Sequence, residues 1–221
     1  MRLREGPAER RNGIMIEING IIKEYDGLRV VDNVTFCIGE KERIFICGES
    51  GCGKSTLLNI IAGLTAADEG TILKDGRPLP ERPQERGISM VFQDSTLWNN
   101  MTVRENILFG SPYKDKKARK EQVLKLAEAF GIEELLDRYP YKISGGQARR
   151  VAIARALACE RELLLLDEPF SNLDKEWKER TIMKTKELCG ENCAVILVTH
   201  SESEADLFCD THLHMAEGRI K

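Results

Sequence analysis

The sequence predicts an α/β fold built around a largely parallel sheet. Three short, almost continuously apolar runs support that prediction: RIFIC at residues 43–47, ELLLLDEP at residues 162–169 and CAVILVTH at residues 193–200. Such runs are typical of strands that are covered on both faces, as strands usually are in parallel sheets. Helical patterns lie between the runs, and this alternation of strand and helix indicates the α/β class.

An antiparallel strand pair is expected before the first of these runs. MIEINGIIKEY at residues 15–25 and RVVDNVTFCI at residues 29–38 are rich in apolar and β-branched residues. The dipeptide Asp26-Gly27 between them is a typical hairpin turn. We therefore predict an antiparallel β subdomain at the N-terminal side of the core.

A strand, a glycine-rich loop and a helix follow in that order. GESGCGKST at residues 48–56 matches the pattern GxxxxGK[ST] and directly follows RIFIC. In such a loop the backbone N–H groups face one anion, and the helix adds its positive end. KSTLLNIIAGL at residues 54–64 supplies that helix. Its apolar residues at helical spacing are Leu57, Leu58, Ile61 and Leu64.

Side-chain chemistry points to a bound nucleotide and to hydrolysis. Lys54 can reach the β and γ phosphates, and the Ser55 hydroxyl can bind Mg²⁺. The run LLLL ends in Asp167 and Glu168, so one carboxylate can join the Mg²⁺ shell while the other deprotonates water. A chance glycine-rich turn or an acidic loop would explain either element singly, but not the two together. The loop alone does not separate an ATPase from a GTPase or a small-molecule kinase.

A mostly helical insertion is expected between the phosphate loop and the acidic strand. KEQVLKLAEAFG at residues 120–131 places four apolar residues on one helical face and ends in a glycine suited to terminate the helix. IEELLDRY at residues 132–139 and GGQARRVAIARALA at residues 145–158 also have helical patterns. We expect the insertion to span roughly residues 95–158 of a single domain at residues 15–221. The four apolar residues are Val123, Leu126, Ala127 and Phe130.

Composition limits the classes of protein to which the chain can belong. The 221 residues suffice for one domain with a substantial core, and the net charge of -3 provides no positive field for nucleic acid, so we expect no nucleic-acid partner. No apolar run approaches the roughly 20 residues that cross a bilayer. Residues 1–14 contain four arginines and no apolar segment, which predicts a flexible tail rather than a secretory signal.

The seven cysteines are expected to be free thiols. Their number is odd and no two of them form a C-x-x-C pair, which favours a reducing compartment. Cys209, His212 and His214 could suggest a metal site, because alternation places both histidines on one strand face. No fourth ligand has a recognisable spacing, so we favour a surface or edge strand.

ISGGQARRVAIARAL at residues 143–157 resembles the LSGGQ signature of ABC-type ATPases, and it precedes the acidic strand as it does in that family. The resemblance covers the chain from Ile16 onward. Four further motifs fall in the family's order: KEY ends in Tyr25, VFQD contains Gln93, SNLD ends in Asp174 and VTH ends in His200. The resemblance implies a P-loop NTPase core with a mixed or parallel sheet, an N-terminal antiparallel β subdomain and an inserted α-helical subdomain.

The resemblance also implies roles for residues in these motifs, with ATP and Mg²⁺ as the ligands. Tyr25 would stack on adenine, Gln93 would approach Mg²⁺, and His200 would contact the γ-phosphate and the attacking water. The implied catalytic residues are Lys54, Gln93, Glu168 and His200, and the implied Mg²⁺ ligands are Ser55, Gln93 and Asp167. The other implied nucleotide contacts are Gly48, Glu49, Ser50, Gly51, Cys52, Gly53, Lys54, Ser55, Thr56, Ser144, Gly145, Gly146, Gln147 and Asp174.

Each of these residues has a simpler alternative role. Tyr25 could be a half-buried strand residue, Gln93 an ordinary loop amide, and His200 a satisfied core histidine. Ser144 could be only the N-cap of a helix. Cys52 could be a small residue tolerated at a variable position rather than a reactive thiol near a helix N-terminus.

The resemblance implies several partners. In this family the signature of one subunit faces the phosphate loop of another, so two copies enclose two ATP molecules. Separate integral membrane permease subunits would hold the chain at the cytoplasmic face of the membrane, and a solute-binding protein would act indirectly. DEPFSNLD and VTHSESEA resemble bacterial importer subunits, including the nitrate, sulfonate and taurine group, more than they resemble exporters. An export or cell-envelope complex and a non-transport ABC ATPase are the alternatives.

One stretch departs from the family pattern. LWNNMTV at residues 97–103 replaces a segment that commonly contains proline and that borders the groove for a permease segment. Trp98, Asn99 and Asn100 therefore predict a particular permease partner. A solvent-exposed turn without a partner is the alternative.

Overall fold

The computed structural model describes residues 16–189 and 193–221, so the predicted tail at residues 1–14 lies outside the described residues. In chain order the strands are β1 (Ile16–Tyr25), β2 (Leu28–Ile38), β3 (Arg43–Cys47), β4 (Glu69–Lys74), β5 (Arg77–Pro78), β6 (Ile88–Val91), β7 (Leu163–Asp167), β8 (Ala194–Val198), β9 (Thr211–Ala216) and β10 (Arg219–Ile220). The α-helices are α1 (Lys54–Ala62), α2 (Val103–Leu108), α3 (Lys116–Phe130), α4 (Gly145–Ala158), α5 (Lys175–Leu188) and α6 (Glu202–Phe208). Short 3₁₀ helices span Pro83–Glu85, Glu133–Leu135 and Pro140–Lys142.

The first sheet is antiparallel and has the strand order β2-β1-β4-β5. Strands β1 and β2 form the predicted hairpin, in which Tyr25 pairs with Leu28 across the turn. Asp26 and Gly27 have φ angles of 51° and 80°, as a two-residue turn with the twist of its flanking strands requires. The predicted antiparallel β subdomain is confirmed.

The second sheet has the order β10-β9-β3-β8-β7-β6, and its strands from β9 to β6 run parallel while β10 pairs antiparallel to β9. The three predicted apolar runs form β3, β8 and β7 at its centre. Because the carboxyl ends of parallel strands meet at one edge of a sheet, the loops that follow these strands converge there. The predicted α/β class with a mixed sheet is confirmed.

This sheet separates two apolar cores. Side chains alternate along β7, so that Leu164 and Leu166 pack in one core while Leu163 and Leu165 pack in the other. The first core includes α3 and α4, and the second includes α1 and the antiparallel sheet. Each fully buried leucine contributes about 1.5–3 kcal/mol of transfer free energy. The central strands therefore form a firm base for the loops at their carboxyl ends.

Helices α2, α3 and α4 lie between β6 and β7 in the chain, where the sequence predicts a helical insertion. The four predicted apolar residues of α3 are all buried. Gly131, with φ of 57°, ends this helix, and its N–H donates to the carbonyls of Ala127 and Glu128. The proposed boundaries at residues 15–221 and 95–158 stay predictions.

Two local predictions were wrong. Residues 132–139 are not an α-helix and contain only the 3₁₀ turn Glu133–Leu135. Pro140 restrains Tyr139 to an extended backbone with ψ of 154°, which ends the segment. Leu64 is not part of α1, since Gly63 in the left-handed region ends that helix, and Leu64 is 51% exposed. None of the helices in the described ranges combines the length and apolar character of a membrane span.

Candidate nucleotide-binding site

The loop between β3 and α1 can be built only with glycine at two of its positions. Gly48 and Gly53 have φ angles of 150° and 107°, in the region that L side chains avoid. A Cβ on Gly48 would lie 2.1 Å from the carbonyl oxygen of Met215, and one on Gly53 would lie 2.2 Å from that of Val30. The loop is thus pressed against the backbones of β9 and β2, which fixes its shape.

Lys54 begins α1 and turns its side chain back into this loop. Its Nζ donates to the carbonyl oxygens of Gly48 at 2.8 Å and Glu49 at 2.7 Å, and it lies 3.7 Å from Cys52 Sγ. The first turn of α1 contains no acidic residue. The ammonium group and the positive helix end therefore combine to favour an anion at this position.

The phosphate loop opens onto a cleft of about 170 Å³ at the carboxyl ends of the parallel strands. The cleft is lined by Val30, Ser50, Gly51, Gly53, Lys54, Ser55, Thr56, Gln93, Asp167, Glu168, Val198 and His200. It brings together residues from four separate sequence motifs. A second cavity, of about 340 Å³, has none of the predicted site residues in its lining.

Asp167 is the last residue of β7 and is only 5% exposed. Burial raises the pKa of its carboxyl group, and a hydrogen bond with the Ser55 side chain opposes that rise. Ser55, Gln93 and Asp167 line the same cleft and carry a hydroxyl, an amide oxygen and a carboxylate. Oxygen donors of this kind are the ligands that Mg²⁺ prefers, so the residues present fit that ion.

Glu168 has an unusual backbone and an unsatisfied carboxylate oxygen. Its φ is 47°, which is strained for a residue with a side chain, and its N–H donates to the Val198 carbonyl at 2.8 Å. His200 Nε2 lies 3.3 Å from Glu168 Oε1, yet this buried oxygen forms no hydrogen bond with any of the described residues. Burial raises the pKa of the Glu168 carboxyl, and the neighbouring His200 charge opposes that rise. A carboxylate beside a cleft that has an oxygen without a hydrogen bond is suited to accept a proton from water.

Several predicted nucleotide contacts lie outside the cleft of their own chain. Ser144 caps α4 and shares a capping box with Gln147, and Asp174 caps α5. Nothing lies within 4 Å of a Cβ built on Gly145, so this residue faces open space. Tyr25 is 47% exposed at the end of β1, with Lys23 Nζ 5.2 Å from its ring centroid. The predicted nucleotide contacts of these residues, and of Gly146, stay predictions.

Arg149 is a residue of the site that the sequence did not single out. It is only 4% exposed, and its guanidinium donates to the carbonyl oxygens of Phe92, at 2.6 Å, and Gln93 and to Ser171 Oγ at 3.2 Å. Arg149 therefore joins the helix after the signature to the loops that hold Gln93 and follow Glu168. Its position two residues after SGGQ is the one feature of the sequence that could have identified it. Arginine is usually exposed, however, so its burial could not be predicted.

Both histidines of β9, His212 and His214, are exposed. The His212 ring packs edge-on against Phe45 with a centroid distance of 5.3 Å, and its Nε2 lies 3.8 Å from Asp206 Oδ1. In the part of the chain that the structure describes, no group of three or more His, Cys, Asp or Glu residues is arranged to hold a metal ion.

Comparison with known proteins agrees with this geometry. The sulfate/thiosulfate import ATP-binding protein of Bordetella parapertussis is 39% identical over 214 residues, which cover 93% of this chain and 60% of that protein. The molybdate/tungstate import ATP-binding protein of Thermococcus kodakarensis is 41% identical over 213 residues, which cover 94% of this chain and 64% of that protein. The chain thus spans about 60% of the length of the curated relatives it matches.

A solved structure supports the same grouping. A dimeric ATP-binding cassette, captured in a post-hydrolysis state with ADP and Pi, aligns with a TM-score of 0.83 and 29% identity, covering 93% of this chain and 96% of that one. The predicted P-loop NTPase core with its antiparallel and helical parts is confirmed by this likeness. The sequence profile described as ABC transporter matches residues 31–171, which contain the phosphate loop, the signature and the acidic strand. The chain therefore belongs to the ABC transporter family.

Proposed function

We propose that the chain binds and hydrolyses ATP and thereby powers the movement of a solute across a membrane through separate permease subunits. One observation carries this proposal: six side chains with complementary chemistry line a single cleft at the sheet edge. These are Lys54, Ser55, Gln93, Asp167, Glu168 and His200. The Lys54 ammonium suits phosphate, the oxygen donors suit Mg²⁺, and the Glu168 carboxylate, which has no short hydrogen bond, suits a base.

The residues of the cleft divide the chemistry among them. The N–H groups of the loop and Lys54 bind the phosphates, with Lys54 exchanging its bonds to the carbonyls of Gly48 and Glu49 for phosphate oxygens. Mg²⁺, held by Ser55, Gln93 and Asp167, would neutralise charge on the phosphates. Glu168 accepts the proton of the attacking water at its carboxylate, and His200, whose Nε2 lies 3.3 Å from Glu168 Oε1, contacts the γ-phosphate.

A second copy of the chain is the proposed source of the remaining contacts. The signature residues Ser144 and Gly145 and the helix cap Asp174 do not line the cleft of their own chain. In a two-fold dimer they would reach the cleft of the other copy, and the γ-phosphate would complete hydrogen bonds across the interface. The dimeric arrangement of the related cassette supports this proposal.

Import is the proposed direction of transport. The two curated relatives described above are import ATP-binding proteins, for sulfate or thiosulfate and for molybdate or tungstate. Their names favour an importer over an export or cell-envelope complex. Membrane permease subunits would then place the chain at the cytoplasmic face of the membrane, and a solute-binding protein would select the solute. Membership of the nitrate, sulfonate and taurine group stays a prediction.

An exposed aromatic surface is the proposed contact for the permease. Trp98 is 37% exposed and Phe109 is 60% exposed, and their ring centroids lie 4.2 Å apart. The Arg155 guanidinium lies 4.6 Å from the centroid of the Trp98 ring. The backbone N–H of Trp98 donates to Asn106 Oδ1 at 2.9 Å. A held but exposed aromatic pair is typical of a binding surface. The exposed Asn99 and Asn100 lie beside it.

ATP turnover by the purified chain tests the enzymatic part of the proposal. We expect release of inorganic phosphate that depends on Mg²⁺ and is abolished by a chelator. We expect no comparable transfer of phosphate to a small-molecule acceptor. Absence of both ATP binding and phosphate release would contradict the proposal. Purification of the chain with its native permease, followed by transport assays in vesicles with internal and external solute, would decide between import and export.

A further inference from the structure

A chain of three polar side chains lies behind the proposed base, outside the cleft. Glu204 on α6 is 4% exposed. Its Oε1 accepts a hydrogen bond from Lys178 Nζ at 2.8 Å, and its Oε2 accepts one from Thr199 Oγ1 at 2.7 Å. Both carboxylate oxygens of Glu204 are thus satisfied, and the ammonium of Lys178 compensates the buried charge. None of the three residues lines the cleft.

The Thr199 hydroxyl is placed between two carboxylates. Its Oγ1 lies 2.7 Å from Glu204 Oε2 and 3.5 Å from Glu168 Oε2, the second distance being at the outer limit of a hydrogen bond. Oγ1 also accepts the Ser201 N–H at 3.2 Å. A hydroxyl has one proton, so it can serve only one of the two carboxylates well. The distances assign that proton to Glu204.

Glu168 is therefore left without a strong hydrogen bond at either oxygen. Among residues 16–189 and 193–221, its Oε1 has His200 Nε2 at 3.3 Å without a hydrogen bond, and its Oε2 has only the distant Thr199. A carboxylate that accepts a short hydrogen bond is a weaker base, because the bond stabilises its charged form. A base that must take a proton from water gains from the absence of such a bond.

We propose that Glu204 is a positioning residue that holds the Thr199 hydroxyl proton away from Glu168, so that Glu168 remains free to accept the proton of the attacking water. Lys178 supports this role because its ammonium holds the other oxygen of Glu204 at 2.8 Å and so fixes the carboxylate in its place against Thr199. The inference rests on the proposed ATP hydrolysis and adds three residues to it that do not touch the nucleotide cleft.

Glu204→Gln tests this inference with a side chain of the same shape. Lys178 would hold the amide oxygen of the glutamine, and the amide N–H would then donate to Thr199 Oγ1. The hydroxyl proton would turn toward Glu168, adding a hydrogen bond to the charged base. A bond of this kind predicts a loss in kcat of about tenfold, with KM for ATP changed by less than about twofold.

A second substitution separates this mechanism from a purely structural role. Thr199→Val removes the hydroxyl and keeps the side-chain shape. In the Glu204→Gln background it should restore kcat to the level of the Thr199→Val single variant, whereas Thr199→Ser, which keeps a hydroxyl, should leave the loss in place. A purely structural role for Glu204 predicts instead that the double variant is at least as impaired as Glu204→Gln alone. That outcome would overturn the inference.

Two references complete the experiment. Glu204→Ala also removes the acceptor of the Thr199 proton, and it provides the same rescue test if Glu204→Gln does not fold, as judged by its unfolding midpoint. Wild-type turnover separates the two proposals. If the wild-type chain hydrolyses ATP while Glu204→Gln turns over at the wild-type rate, only the inference is wrong. If the wild-type chain neither binds nor hydrolyses ATP, the proposed function is wrong and the inference with it.

Discussion

The phosphate loop and the signature differ in the contacts that they make within a single copy of the chain. Gly48, Gly53 and Lys54 are held by close backbone contacts and by hydrogen bonds within the chain. Ser144 satisfies only its own helix, and Gly145 faces open space. The first region is complete within one chain, whereas the second satisfies local folding and leaves its chemistry unused. The proposed dimer, in which the signature of one copy acts on the nucleotide of the other, predicts this difference.

The largest expected effect is on turnover in the complete region. Glu168→Gln removes the base while keeping the side-chain volume, so ATP should still bind and kcat should fall by about 10²–10⁴. Phosphate release and nucleotide affinity should be measured together. Glu179→Gln, an exposed glutamate on α5, is the matched control and should behave as wild type. A Glu168→Gln rate near that of wild type would remove Glu168 from the role of base.

A pair of glycine substitutions tests how tightly the phosphate loop is built. Gly53→Ala places a Cβ 2.2 Å from the Val30 carbonyl oxygen, whereas a Cβ on Gly51 meets nothing within 4 Å although its φ is 81°. We expect Gly53→Ala to cost about 2–5 kcal/mol of unfolding free energy and to abolish ATP binding, and Gly51→Ala to cost only about 1–2 kcal/mol. Urea unfolding and nucleotide titration would measure both. Equal costs would mean that loop packing does not shape the site.

Local and long-range features of this molecule differ in how well sequence predicts them. Strands β3, β7 and β8 are apolar runs, and the phosphate loop is a contiguous motif, so both are visible without the fold. The errors at Leu64 and at residues 132–139 arose because single backbone breakers, Gly63 and Pro140, outweighed the apolar periodicity.

Two long-range contacts beside the site could not be predicted. Arg149 lies 56 residues from the Gln93 carbonyl that it contacts, and Lys178 lies 26 residues from Glu204. Nothing in the local sequence around Arg149, which is buried, or Lys178, which is partly exposed, identifies the acceptor. These residues become visible only when packing brings separate loops together at the edge of the sheet.

The signature region should show a smaller effect that separates folding from chemistry. Ser144→Ala removes the cap of α4, and Asp115→Ala removes the equivalent cap of α3, where Asp115 accepts the Ala118 N–H at 2.9 Å. Each should cost about 1 kcal/mol of unfolding free energy. Only Ser144→Ala should also lower ATP turnover, by about tenfold, because it loses a charge-assisted hydrogen bond to the phosphate of the other copy.

The comparison of these two caps needs two measurements. ATP affinity at low protein concentration should be unchanged in both variants, since neither residue lines the cleft of its own chain. ATP-dependent dimerisation, followed in the Glu168→Gln background by light scattering, should weaken only for Ser144→Ala. Equal turnover in the two variants would mean that Ser144 is a helix cap and nothing more.

The smallest effect on hydrolysis is expected at the aromatic surface, which is a second region left incomplete in one chain. Trp98→Ala removes an exposed ring that packs on Phe109 and beneath Arg155, while Asn106 still holds the loop backbone. Basal ATP turnover should therefore remain within about twofold of wild type, because the change is at a partly exposed site away from the cleft. Binding to the permease and coupled transport should fall, since a buried aromatic anchor contributes about 2 kcal/mol or more to an interface.

Leu28→Ala, at a 69% exposed position on β2, is the control for loss of an exposed apolar side chain. Unchanged complex formation and transport in Trp98→Ala would mean that the Trp98 loop is an exposed turn without a partner. Of the two regions, only the signature would then need another molecule.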